Sequence, residues 1–257
     1  MATYKKRGYK AKEVKIETTE EVEFNEQDST TAEVFNTLEE SASKSEEWVS
    51  KNQNYILGVI AVIAVAVLGY LAFEQFVKQP KEAEAGNEMF YAMQYYNQAL
   101  QSETAKDSLY NLALNGANGK YGLIDVIDNY SGTQNANLAT YAAGMSFLNT
   151  QKYTEAIDYL ENYSSDDIVT NAMAKGAIGD AFMQLNQPED ALGYYEKAAS
   201  ANANDFTTPM FLQKAGVTAL ELGDKSAALN YFERIKEEFA SSTEANLVDA
   251  YIAMAKN

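Results

Sequence analysis

Three short stretches of this chain hold residue types that catalytic or ligand-binding sites use. "NGANGKYG", Asn115 to Gly122, sets glycines around a lysine, as phosphate-cradling loops do. Such a loop needs Gly-x-x-x-x-Gly-Lys followed by Ser or Thr at the end of a strand. Here Tyr121 follows Lys120 and no strand pattern precedes it, so the stretch reads as a turn. The adjacent carboxylates Asp166–Asp167 and Glu189–Asp190 have the chemistry for acid–base work or for calcium. Calcium loops place oxygen ligands at alternate positions over about a dozen residues, and neither pair has that setting. Both pairs fall where helices are expected to start, and acids there stabilise the positive end of the helix dipole.

The absences are more telling. The chain has no His and no Cys. The first removes the side chain that titrates near neutrality and most often serves as general base or metal ligand. The second excludes disulfides, thiolate metal sites, cysteine nucleophiles and lipid attachment to Cys. Ala2 in place of glycine excludes myristoylation. With 37 acids against 20 bases, the net charge is −17, which repels a phosphate backbone. We expect no enzyme, no cofactor, no metal, no small-molecule substrate and no nucleic-acid partner.

Something must position whatever surface remains, and the longest signal is "NYILGVIAVIAVAVLGYLAF", residues 54 to 73, which carries no charge. A helix over Tyr55–Phe73 rises about 1.5 Å per residue and so nearly matches a hydrocarbon layer of ~30 Å. It is apolar on every face, unlike an amphipathic surface helix. Trp48, Tyr55, Tyr70, Phe73 and Phe76 flank it where aromatic rings favour the membrane interface. The alternatives are a buried core helix and a cleaved signal peptide; the second starts nearer residue 1 and has a shorter apolar core. The expectation is a single transmembrane helix over 53–77 in a lipid bilayer. Its flanking lysines tie, Lys44 and Lys51 before it against Lys78 and Lys81 after it, so they do not set its orientation. Lys5, Lys6, Arg7, Lys10, Lys12 and Lys15 near the start place the N-terminus in the cytoplasm.

Ahead of the span, residues 1–29 hold few core-forming side chains and are expected to be a disordered cytoplasmic tail. Residues 30–52 change character. Thr30 and Glu33 have capping-box spacing, and Phe35, Leu38, Ala42, Ser45 and Val49 follow at helical steps. We expect a juxtamembrane amphipathic helix there, docked on a membrane partner or resting on the bilayer.

Residues 80–257 read as an all-α domain built of repeats. Aligning Gly144, Gly179 and Gly216 puts Ala156, Ala191 and Ala228 twelve residues on, and Leu160, Tyr195 and Phe232 four residues after those. A small residue on one helix and a small residue early on the next let two backbones approach, and the large residue one turn later fills the space beside them. Pro188 suits a first helical position, and Pro209 marks another start. "EMFYAMQYYNQAL" and "GKYGLIDVIDNYSGT" suggest a weaker preceding unit with a short helix between its parts. Ser241 and Glu244 suggest a capping box opening a terminal helix that turns Leu247, Val248, Tyr251 and Ile252 toward the stack. Such hairpins cannot bury their faces alone and must stack.

Glycine, alanine at twelve and a large residue at sixteen, over residues 137–239, resembles the tetratricopeptide repeat, without its usual early tryptophan. The resemblance implies an all-α solenoid of tetratricopeptide-type hairpins, with a C-terminal capping helix, behind a single N-terminal transmembrane helix. Tail, anchor and exported repeats in that order resemble the YfgM-like ancillary subunits of the Sec translocon, although the acidic tail here is longer. That resemblance implies the bacterial inner membrane, a periplasmic repeat domain, and as partners the Sec translocon channel subunits and exported or unfolded polypeptide segments. The rival reading is a structural scaffold of another cell-envelope complex with no client binding. Counting from the aligned glycines puts Tyr141, Met145, Asn149, Asp180, Met183, Gln184, Gln213 and Val217 on the face lined by the first helices. Methionine adapts to varied apolar segments and amides bond an extended backbone; the competing role for Met145 and Met183 is packing between repeats.

Overall fold

The computed structural model describes residues 30–201 and 203–257. The tail over 1–29 with its basic cluster lies outside the described residues, as do the side chains of Thr30, Glu33 and Phe35. The chain divides into two units at Leu68–Gly69. Helix α1 (Thr30–Phe73) contains both the juxtamembrane segment and the apolar run. Every residue from Leu57 to Phe73 is exposed, and this is the one described helix long and apolar enough to cross a membrane. A π-helical turn, Glu74–Lys78, precedes α2 (Gln79–Gln101), which has Pro80 in its first turn. A proline withholds the amide that would bond four residues back, and the backbone just before Pro80 widens by one residue, with Gln79 N–H bonding Glu74.

The unit from Gly69 onward is all-α among its described residues. Helices α3 (Lys106–Asn115) and α4 (Leu123–Asn129) follow α2. Three hairpins come next: α5 (Gln134–Asn149) with α6 (Tyr153–Glu161), α7 (Ile168–Gln184) with α8 (Pro188–Ser200), and α9 (Thr207–Glu221) with α10 (Lys225–Glu238). A short 3-10 turn, Glu244–Asn246, leads to the capping helix α11 (Val248–Lys256).

The glycine pattern is a packing rule made visible. A Cβ on Gly144 would sit 2.5 Å from Leu160, on Gly179 2.6 Å from the Tyr195 ring, and on Gly216 2.4 Å from the Phe232 ring. Ala156, Ala191 and Ala228 are wholly buried beside them. Each second helix therefore presses a large side chain onto bare backbone of the first. Between hairpins the same device recurs once: a Cβ on Gly176 would lie 1.9 Å from the Phe211 ring of the next repeat.

A second regularity runs along the second helices. Tyr159, Tyr194 and Tyr231 stand one residue before Leu160, Tyr195 and Phe232. The Tyr194 hydroxyl donates to Glu161 and the Tyr231 hydroxyl to Glu196, each reaching one repeat back. Burial, then the bond to and charge of Glu161, push the Tyr194 hydroxyl up to about 12. Tyr231 is raised likewise by burial and Glu196.

The weaker first unit is a hairpin with a broken second helix. Tyr110 of α3 packs on Tyr96, with ring centroids 5.9 Å apart, and Lys120 stands 5.4 Å over the Tyr91 ring. Lys81 Nζ then donates to the Ser131 carbonyl at 2.9 Å. Helices α3 and α4 thus run back along α2 in succession. The break is "NGANGKYG", a tight turn with Asn118 and Gly119 at φ 54° and 70° and Lys120 N–H bonded to Ala117. Glu82 closes this unit onto the next, accepting from the amides of Gln134 and Asn135 at 2.8 and 2.7 Å.

The C-terminal cap differs from expectation in detail. Val248 is buried, Tyr251 stacks on Phe232 at 5.0 Å, and Ile252 packs on the core, but Leu247 is 58% exposed. The hydroxyl that caps this turn is that of Ser242, accepting from Ala245 N–H at 3.2 Å, rather than Ser241. Ser242 N–H bonds the Phe239 carbonyl at 2.9 Å, which sets Ser242 at the start of the turn that leads into Glu244–Asn246. Pro188 does open α8, whereas α9 starts at Thr207, two residues ahead of Pro209.

Two outcomes follow from this packing. Gly179→Ala forces a methyl into the Tyr195 ring and is expected to cost about 1–3 kcal/mol, read as a lower thermal midpoint by circular dichroism. Gly193→Ala, on a helix face with nothing within 4 Å, is expected to raise the midpoint, by up to about 1 kcal/mol. In alkali, tyrosines whose folded-state values lie above the ordinary ~10 contribute stability that is complete below pH ~10 and is lost as pH rises through the folded values. Ultraviolet titration is expected to show a group of tyrosines ionising late, together with unfolding, and Tyr194→Phe with Tyr231→Phe is expected to shrink that group.

Candidate protein-binding surface

The first helices of the three hairpins, α5, α7 and α9, share one face, and six of the eight expected residues meet in two adjoining grooves on it. Asn149, Asp180, Met183 and Gln184 line a groove of about 640 Å³ with Leu148, Tyr153, Tyr195 and Lys214. Met183 continues into a second groove of about 310 Å³ with Gln213, Val217, Thr218 and Tyr251. Tyr195 and Lys214 border both. Tyr141 and Met145 are not in either groove. Tyr141 is half-buried against Tyr163, with ring centroids 5.0 Å apart, and Met145 packs on the cores of neighbouring hairpins.

The polar groups of the grooves are tied to one another. Lys214 Nζ lies 2.6 and 2.8 Å from the two Asp180 oxygens, and the Tyr195 hydroxyl donates to Asp180 Oδ1 at 2.7 Å. Burial, then Asp180, raise the Tyr195 hydroxyl above its ordinary value. The pair is 38% exposed on each side, so its net contribution to stability is only ~1 kcal/mol or less. Its effect is neutralisation: Lys214 and Asp180 cancel where the grooves meet. The Tyr153 hydroxyl donates to Gln184 Oε1 at 3.3 Å, and Thr218 Oγ1 points to Met183 Sδ at 3.8 Å. Asn149 Nδ2 donates to the Met145 carbonyl at 2.8 Å.

What remains offered outward is amide, thioether and ring. Gln184 and Val217 are exposed and Gln213 half-exposed. Such a surface can hold an extended backbone by side-chain amides and accommodate apolar side chains beside Met183 and Val217.

Lys214, Tyr195 and Tyr153 were not among the expected groove residues. A signal for the ion pair exists in the repeat alignment. Lys214 falls where the other hairpins have Ala142 and Ala177, and Asp180 where they have Met145 and Val217. Two departures of opposite sign in consecutive repeats meet in space.

The other chemical candidates resolve into local structure. Asp167 caps α7, its Oδ1 accepting from Thr170 N–H at 2.7 Å, and the bonds from Thr170 hold its carboxyl below the usual range. Glu189 and Asp190 lie in the first turn of α8. Among the described residues no group of three or more acidic side chains is placed to hold a metal ion.

Two tetratricopeptide-repeat models match the chain, over residues 174–205 and 212–242. The first spans most of α7 with α8, the second most of α9 with α10. No curated protein and no solved structure matches the chain. With these matches and the hairpin packing above, the fold is an all-α helical repeat of tetratricopeptide type, an architecture whose general role is binding other proteins.

Proposed function

We propose that this protein is a membrane-anchored adaptor, an accessory subunit of the Sec protein-translocation machinery. In this reading α1 crosses the bacterial inner membrane, the N-terminus lies in the cytoplasm, and the repeats stand in the periplasm. There the α5–α7–α9 face binds exported polypeptide segments or partner subunits. The observation that carries the binding part is the pair of grooves around Met183, free of net charge in a chain of net charge −17. A chain so acidic repels acidic clients everywhere except where its charges cancel. The membrane part is supported by the exposed apolar run Leu57–Phe73 and by the basic cluster near the N-terminus.

The test of binding uses the full chain in lipid nanodiscs and an unfolded client that aggregates on dilution. Slower aggregation is expected. Met183→Glu with Val217→Glu places unpaired charge in the grooves and is expected to weaken the effect roughly tenfold or more, since each 1.4 kcal/mol is a factor of about ten. An unchanged aggregation rate with the unaltered protein would favour the scaffold reading instead.

The test of place uses cells with the outer membrane stripped. Protease is expected to digest residues beyond the apolar run and spare those before it, and gentle detergent extraction to recover the translocon channel with the chain. Protection of the repeats would reverse the orientation, and a channel absent at every detergent strength would sink the translocon assignment.

A further inference from the structure

Of the residues that line the two grooves on the α5–α7–α9 face, only Asp180 and Lys214 are charged. Packing sets both in place. Tyr195, pressed onto Gly179, gives its hydroxyl to Asp180 Oδ1 at 2.7 Å. Lys214 Nζ stands 5.5 and 5.9 Å from the ring centroids of Tyr195 and Phe211, and Phe211 is the ring pressed onto Gly176. The same Nζ bonds both oxygens of Asp180, at 2.6 and 2.8 Å. Oδ1 of the carboxylate thus holds Tyr195 and Lys214, and Oδ2 holds Lys214. A pair this exposed adds little to stability, so stability does not account for its place between two grooves.

A segment lying across this junction covers the pair and strips its water. A lone charge covered by a neutral chain loses hydration with nothing in return. A closed pair, each member hydrogen-bonded to the other, withstands that covering. A charged side chain arriving at the junction meets the opposite case. It faces both signs at once and gains a partner only by displacing the one already bonded. Leaving a charge unpaired is a means by which a site rejects a wrong partner.

We propose that Asp180 and Lys214 set the specificity of this face: as a closed pair they select extended segments that carry no charge across the junction and reject those that do. This selection rests on the reading above that the α5–α7–α9 face binds polypeptide segments. Packed helices lie about 8–10 Å apart and an extended chain rises about 3.3 Å per residue, so a segment crossing all three helices places about six residues there. Breaking the pair from either side reverses the choice, with opposite sign. Without Asp180, Lys214 is a free cation over two rings and draws acidic segments. Without Lys214, Asp180 is a free carboxylate, still held by the Tyr195 hydroxyl, and draws basic ones.

The test titrates the full chain in lipid nanodiscs, by fluorescence anisotropy, with end-capped peptides of Ser, Asn, Leu and Met that differ only in a central Gln, Glu or Lys. At about 0.15 M salt the Debye length is ~8 Å, so distant acids are screened and the central residue reports the junction. The Gln peptide is expected to bind tightest, each charged peptide being weaker by about fivefold, the scale of one partly exposed ion pair. Asp180→Asn is expected to weaken the Gln peptide and turn the order in favour of Glu. Lys214→Gln is expected to turn it in favour of Lys. Loss of folding lowers all three peptides together and does not imitate these opposite shifts; the order with the unaltered chain decides even without the variants. Equal binding of the three peptides by the unaltered chain, or variants that keep its order, would overturn the role of the pair and leave the face a binding surface. Binding of none of them would remove the binding surface and the selection with it.

Discussion

Each of the three aligned hairpins depends on one close approach: bare glycine backbone on the first helix meeting a large side chain from the second. A β-carbon at Gly144, Gly179 or Gly216 would lie within 2.6 Å of Leu160, Tyr195 or Phe232. The contact trades helix propensity, since glycine disfavours helices by up to about 1 kcal/mol, for burial of a leucine or an aromatic ring. It also fixes the separation of the two helix axes. Successive first helices are then held at repeatable spacing, and a groove across α5, α7 and α9 becomes possible.

The same approach places chemistry. Because Tyr195 is drawn beneath Gly179, its hydroxyl reaches Asp180 on the next residue of α7. Asp180 then meets Lys214 of the following repeat. A packing residue thus fixes one end of an ion pair that neutralises the grooves. On the second helices the tyrosines ahead of the packing residues reach back to Glu161 and Glu196. These phenols, raised by burial and by their acidic partners, stay neutral until alkaline pH.

Charge is distributed with a consistent logic. The chain is strongly acidic, yet Asp180 and Lys214 cancel each other in the grooves, and on α2 Lys81 and Glu82 are bonded to the Ser131 carbonyl and the first amides of α5. A uniformly acidic surface resists association.

Much of this was legible in the primary structure because it is local or periodic. The charge-free run over 54–73, the helical spacing and the glycine–alanine–large-residue repeat each follow from residue types at short intervals, so the hairpins and their packing partners could be named in advance. Six of the eight residues expected on the first-helix face line the grooves, because they sit at fixed steps from those glycines, whereas Tyr153, Tyr195 and Lys214 were not expected there. Tertiary structure decided what depends on long-range register. It turned Tyr141 and Met145 into packing residues, brought Lys214 to Asp180 from thirty-four positions away, and moved the last cap from Ser241 to Ser242. It also joined Glu82 of α2 to the first amides of α5, some fifty positions away. A helical pattern gives the faces of one helix, but which face meets a neighbour depends on where that neighbour's backbone lies, and only the folded chain fixes that.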